Sequence, residues 1–235
     1  MVPAAEMTAL CDAVRARGGR VSTMSNADGS ESPYELNITY FDALRSTRKG
    51  RDELQLERFL CSQTIQLSLR GIPGIYFNNL FGARNHPQGV ERTGQARAIN
   101  RRKWEIGELR QRLDNTRTDE GRVFSRFRHL LRERARHPAF HPDGAQHVLE
   151  TDTRVFGLLR TAPDRSESVM MLANLTPDNI EVNLAEPAMP GPDKLREADL
   201  VSQRPHPLNN GKLALNPYQC VWMPLTDAPQ MKDEG

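Results

Sequence analysis

Cysteine is scarce: three in 235 residues, Cys11, Cys61 and Cys220. They are odd in number, far apart and lack any Cys-x-x-Cys pair, so neither a disulfide framework nor a zinc ribbon is indicated. They read as reduced, structural thiols. Long apolar runs are also missing. The most apolar stretch, 65–80, is interrupted by Arg70, Gly71 and Pro73, well short of the ~18 residues a membrane span requires. The opening Met1-Val2-Pro3-Ala4-Ala5-Glu6 has no basic segment leading into an apolar core, so no signal peptide is expected. Nor is there an excess of one charge: 32 Lys and Arg face 30 Asp and Glu, a net charge of +2. That is too little for a nucleic-acid partner argued from charge. The expectation is a cytoplasmic chain with neither a membrane nor a nucleic-acid partner.

Several chemical signatures are absent too. The sequence contains no Walker loop, no strand-borne Gly-x-Gly-x-x-Gly and no Gly-x-Ser-x-Gly elbow. His137 and His141 have a helical ligand spacing, but Pro138 falls between them and Pro142 follows. No acid joins them, so they read as a helix-end pair and not as a metal site. No metal and no cofactor are expected. Arg101 to His137 carries 12 Lys and Arg against 6 Asp and Glu, with Trp104 and Phe127 interleaved. The arginines are spread around the helix with acids at pairing distance, which is the pattern of a solvated, salt-bridged face. The acid in Arg112-Leu113-Asp114 lies in a helical stretch, so it reads as a solvated helix residue.

With 37% hydrophobic and 26% charged residues, the chain can bury a core. It is too short for a complete (β/α)8 barrel of about 250 residues plus a second domain. Met7, Leu10, Cys11 and Val14 recur at helical spacing and are stopped by Gly18-Gly19, which predicts a first helix. Residues 25–33 are turn formers, and 34–40 are rich in β-branched and aromatic residues, predicting a loop and then an extended segment. Residues 52–69 lack Gly and Pro and predict a buried helix. Residues 73–77 are apolar on both faces, as in a covered parallel strand. A polar loop at 82–97 and helices at about 105–114 and 119–137 follow. At residue 138 the helical period gives way to short β-rich runs, 146–150, 154–160, 168–174, 180–184, 212–215 and 219–223, punctuated by Pro and Gly. This predicts a small antiparallel β-sandwich.

Four blocks then carry a likeness. They are Ser30-Glu31-Ser32-Pro33-Tyr34-Glu35-Leu36-Asn37-Ile38-Thr39-Tyr40-Phe41-Asp42-Ala43-Leu44; Gly71-Ile72-Pro73-Gly74-Ile75-Tyr76 with Phe81-Gly82-Ala83-Arg84-Asn85; Glu91-Arg92-Thr93-Gly94-Gln95-Ala96-Arg97-Ala98-Ile99-Asn100-Arg101; and Arg136-His137-Pro138-Ala139-Phe140-His141-Pro142. In this order they resemble the C-terminal half of the sucrose phosphorylase-like enzymes, glucosylglycerate phosphorylase included, of the α-amylase family (glycoside hydrolase family 13). The resemblance implies an α/β plus all-β fold: strands seven and eight of a (β/α)8 barrel with their helices over 1–138, and a β domain over 139–235. Gly71-Ile72-Pro73 would open strand eight. It also implies transfer of glucose from an α-glucoside to phosphate, with retention, through a covalent glucosyl-enzyme.

That chemistry uses an Asp nucleophile, a Glu acid/base and a third Asp in a His-Asp dipeptide. None of the three positions is matched. Four histidines precede proline, and His129 and His147 precede Leu130 and Val148. The first helix corresponds to the one following the missing dipeptide. What the resemblance leaves are substrate-facing positions: Tyr34 and Glu35 on the loop lining the acceptor and phosphate side, and Arg97, which matches the arginine holding the donor glucose. Glu35 stands where many relatives carry Gln. A carboxylate repels phosphate and suits a hydroxyl-rich acceptor better. The expected partners are an α-glucoside and phosphate once a barrel is completed. The expected function is a part that is inactive alone; the alternatives are half of a split enzyme working with an N-terminal partner chain, and a non-catalytic carbohydrate-binding or interaction module using the β domain with Trp222 and Phe156.

Overall fold

The computed structural model describes residues 3–196 and 198–226. The chain divides into two compact units, Met1–Phe59 with Ile75–Ser125, and Leu60–Gly74 with Arg126–Gly235.

In the first unit, helix α1 (Ala4–Ala16) buries Cys11 and Val14 and stops where Gly18 adopts a φ of +81°. Strands β1 (Arg20–Ser25) and β2 (Glu31–Asn37) form an antiparallel hairpin. The expected loop at 25–33 is therefore shorter than its composition suggested. Pro33 enters the strand because it lies at an irregularity in the pairing, between Ser22 and Thr23, where a missing N–H is tolerated. Gly19 admits no side chain: a Cβ there would lie 2.7 Å from Val14 Cγ1 and 3.0 Å from the Asn37 carbonyl. Short α2 (Tyr40–Ala43) is capped by the Thr39 hydroxyl, and β3 (Ser46–Thr47) pairs with β4 (Gly50–Arg51).

Helix α3 (Gln55–Ser68) falls within the expected 52–69. The expected polar loop at 82–97 instead contains α4 (Pro87–Thr93), with Pro87 in its first turn and Gly94 as a left-handed cap; these are the start and stop signals of a helix. A single-turn helix, Ala96–Asn100, follows, then α5 (Ile106–Asp114) and the first residues of α6 (Asp119–Arg136). Phe41 and Phe59 meet edge-to-face with ring centres 5.2 Å apart. Gly82, at a φ of +60°, lets Phe41 and Val123 close to 3.0 Å from where its Cβ would be.

The covered parallel strand expected at 73–77 is not formed. All paired strands among the described residues are antiparallel, and Ile72 is 85% exposed. A parallel strand exists only by pairing with neighbours. Here side chains take the place of a ladder: Arg134 donates to the carbonyls of Leu67 and of Gly71, the latter at 2.7 Å, and Gln66 donates to Gly74 at 2.9 Å.

The second unit contains the β-rich region. A four-stranded antiparallel sheet runs in the order β12 (Cys220–Pro224), β7 (Ser168–Asn174), β6 (Val155–Thr161), β5 (Ala145–Leu149). A second ladder pairs β8 (Ile180–Asn183) with β11 (Lys212–Leu215), and a short one pairs β9 (Ala198–Asp199) with β10 (Arg204–Pro205). Strands β8 and β11 bury alternate residues; β7 is buried throughout, as a central strand covered on both faces must be. One side chain cluster joins Leu159, Met170, Leu172, Val182, Leu213 and Val221. On the other face Trp222, fully buried, donates to Ser68 Oγ at 2.7 Å and lies 4.5 Å from the Phe140 ring centre. Trp222 is core and not a sugar-stacking platform.

Arg160 is also fully buried. Its guanidinium donates to the carbonyls of Ser68 (2.8 Å), His141 (2.8 Å) and Ala145 (3.2 Å). Burial, with Arg134 and Arg70 nearby, pushes its pKa down to about 10, which leaves it charged at neutral pH. Arg160→Ala removes the donor from three carbonyls, the buried Ser68 carbonyl among them, and leaves a cavity, so it should cost about 3 kcal/mol or more; chemical denaturation of the two proteins checks this. Gly19→Ala should cost roughly 1–3 kcal/mol through overpacking, read by the same measurement.

Candidate substrate-facing site

The two positions singled out as substrate-facing on separate stretches of chain, Glu35 and Arg97, come together in the first unit. Glu35 lies on β2, paired with Ser22 of β1. Arg97 lies on the Ala96–Asn100 turn, which is anchored from below. Ile99 is buried and its carbonyl accepts the His86 N–H at 2.8 Å. The Asn100 carbonyl accepts Tyr76 Oη at 3.2 Å and Asn78 Nδ2 at 3.5 Å. Asn78 in turn accepts Trp104 Nε1 at 2.9 Å. Burial and the arginines Arg102 and Arg92 push the His86 imidazole below its ordinary pKa.

On this platform Arg97 Nη2 stands 3.8 Å and Arg101 Nη2 4.0 Å from the Glu35 carboxylate. Both guanidiniums are about half exposed, so the pairs contribute little stability. What they supply is a forked set of donors beside one acceptor, suited to sugar hydroxyls or to an anion. Arg101 was not singled out from the sequence; its place four residues after Arg97 was the available signal. Tyr34 is the extra residue of the bulge in β2, since Ser22 faces Glu35 and Thr23 faces Pro33. It is 68% exposed. Bulges of this kind redirect a side chain out of the ladder.

A second polar cluster fixes the elements that carry this platform. Asp42 is buried, and its carboxylate accepts Arg84 Nη1 at 3.1 Å and the Asn85 N–H at 2.7 Å. The Asn85 side chain accepts the Thr39 N–H at 2.8 Å and donates to the Arg17 carbonyl at 3.2 Å. Arg84 also reaches Asp119 at 2.5 Å. Next to it is an open cleft of 520 Å³ lined by Arg84, Arg122, Asp119, Asp52 and Glu57 among others. Asp52 is held below the usual carboxylate pKa mainly by its hydrogen bond from Arg58.

Asp114 is an exposed residue ending α5. His137 lies between two carboxylates, 2.6 Å from Glu167 and 3.6 Å from Glu133. No group of three His, Cys, Asp or Glu among the described residues is placed to hold a metal ion, and no described helix is long and apolar enough to cross a membrane. Within the basic stretch, Arg112 pairs with Glu108 and Glu120, and Arg102 stacks 3.7 Å over Trp104.

Asn85→Ala removes the anchors of Thr39 and Arg17 together and is expected to lower stability by about 2–3 kcal/mol. Asn85→Asp keeps the acceptor toward Thr39 but sets a carboxylate oxygen against the Arg17 carbonyl and near Asp42, so it should cost at least as much. Thermal melts of the three proteins give the order.

With this geometry described, the chain can be set beside known proteins. Residues 152–223 match the family model of the D-apionate lactonase C-terminal immunoglobulin-like domain, in line with the sandwich of the second unit. The chain is 39% identical over 176 residues to glucosylglycerate phosphorylase of Spirochaeta thermophila, covering 75% of this chain and 30% of that one. To the Escherichia coli K12 glucosylglycerate phosphorylase it is 32% identical over 223 residues, covering 95% of this chain and 38% of the relative. The chain thus spans about a third of the length of the curated relatives it matches. In fold it is similar to sucrose 6F-phosphate phosphorylase from Thermoanaerobacter thermosaccharolyticum, with a TM-score of 0.59 at 21% identity over 74% of this chain and 32% of that one. Over most of its length the chain is thus similar to a part of the glucosylglycerate phosphorylases, and its fold is similar to that of a sucrose 6F-phosphate phosphorylase.

Proposed function

We propose that this chain is the C-terminal part of a retaining α-glucoside phosphorylase, contributing the acceptor side of the substrate pocket and no catalytic carboxylate. Residues 1–138 are assigned to the end of the barrel and 139–235 to the appended β domain, in a cytoplasmic enzyme. The observation that carries this reading is the convergence of Glu35 with Arg97 and Arg101. Two blocks that carry the likeness to phosphorylases meet there in one half-exposed, hydrogen-bonding surface. In this role Arg97 holds hydroxyls of the donor glucose, and Glu35 with Tyr34 faces a hydroxyl-rich acceptor.

Breaking the glycosidic bond needs a nucleophile and an acid/base on either side of the anomeric carbon, and an oxocarbenium-like transition state held by a further acid. Positions for these three are not matched in the 235 residues. The barrel strands that bear them would come from a preceding segment or from a partner chain.

The test is phosphorolysis. Purified chain incubated with phosphate and sucrose or glucosylglycerate should release no glucose 1-phosphate, and turnover would overturn the reading. Supplied with the remaining N-terminal part of a glucosylglycerate phosphorylase as a second chain, it should regain turnover; a pair that assembles without activity would also overturn it. In the active pair, Arg97→Ala should lower kcat/KM by about 100-fold, the scale for losing a charged donor on the reacting sugar.

A further inference from the structure

Cys61 and Cys220 lie 159 positions apart in the sequence, yet in the second unit their sulfurs are 3.5 Å apart. Cys61 is on α3 and Cys220 opens β12. Both are buried, 4% and 6% exposed, and both are free thiols. The pair is enclosed: Cys220 Sγ also faces the Cys61 carbonyl at 3.6 Å, and Cys61 Sγ faces the Asn174 carbonyl at 3.7 Å. Two thiols need only close about 1.5 Å to reach bonding distance. We propose that Cys61 and Cys220 are a convertible dithiol, joined by a two-electron oxidant into a disulfide that staples α3 to the edge strand β12.

The chemistry balances with a peroxide. One thiol loses its proton and attacks the peroxide, giving a sulfenic acid and water. The second sulfur attacks that sulfenic sulfur, and a second water leaves. In sum, two thiols and one peroxide give one disulfide and two waters. The thiolate is the attacking species. The hydrogen bond to Cys61 and burial, with Asp199 nearby, hold the Cys220 thiol well above its ordinary pKa, so the reaction should be slow at neutral pH and faster in base. The cross-link would close a loop of over a hundred residues, which strongly restricts the unfolded chain.

The full chain is treated with hydrogen peroxide at rising pH, quenched, alkylated in denaturant and mapped by mass spectrometry. The expected product has lost two hydrogens, contains one linked peptide pair with Cys61 and Cys220, leaves Cys11 alkylated, and reverts with dithiothreitol. Its melting temperature should rise by roughly 5–10 °C. Cys11→Ser should leave the link intact. Cys220→Ala should abolish it, and Cys61→Ala provides the same test should that variant misfold. Free Cys61 and Cys220 after treatment, a link through Cys11, or the same pairing yield from chain oxidised in denaturant would each overturn the proposal.

Discussion

The buried carboxylate of Asp42 is the constraint on which the site-bearing unit depends. A charge removed from water must find several partners or be lost as a charge, and Asp42 finds them in Arg84 and the Asn85 backbone. Because those two residues are adjacent, satisfying the acid also fixes Asn85, whose side chain then ties down Thr39 and Arg17. Through Asn85 this one carboxylate ties the end of α1 to the start of α2, on either side of the hairpin. The hairpin between those two anchored ends carries Glu35, held in register by its pairing with Ser22.

The second unit solves the same problem with the opposite sign. Arg160 is buried without a carboxylate, and three carbonyls share its donors. Carbonyl oxygens at a strand end and a helix end lack ladder partners, so a guanidinium satisfies them as they satisfy it. Ser68 takes part twice, through its carbonyl to Arg160 and its hydroxyl to Trp222. The apolar sandwich supplies most of the burial, while these polar ties select one arrangement of helix end and sheet.

Much of this was legible in the sequence. Strands 168–174 and 212–215 coincide with Ser168–Asn174 and Lys212–Leu215, because alternation and turn residues are local. Helices α1, α3, α5 and α6 fall where their periodicity put them. The misreadings have definite causes. Helix α4 is only seven residues long, too short for a period to register, and its Pro and Gly read as loop formers when they were start and stop. Residues 73–77 are apolar enough for a covered strand, but a strand is made by its neighbours, and Ile72 and its surroundings meet none.

Residue chemistry alone set the bounds, with few thiols and no phosphate-loop or nucleophile-elbow motif, while Glu35 and Arg97 were singled out only by the resemblance to the phosphorylases. The sequence also determined the longer helices and most of the β-rich runs, since propensity and period act over a handful of residues. Only the tertiary structure decided the pairings. It set Arg101 beside Arg97, made Tyr34 the extra residue of a bulge, and brought two cysteines that looked unrelated to within 3.5 Å. Such neighbours depend on how long-range packing satisfies buried charge and apolar surface together, and no local window of sequence contains that information.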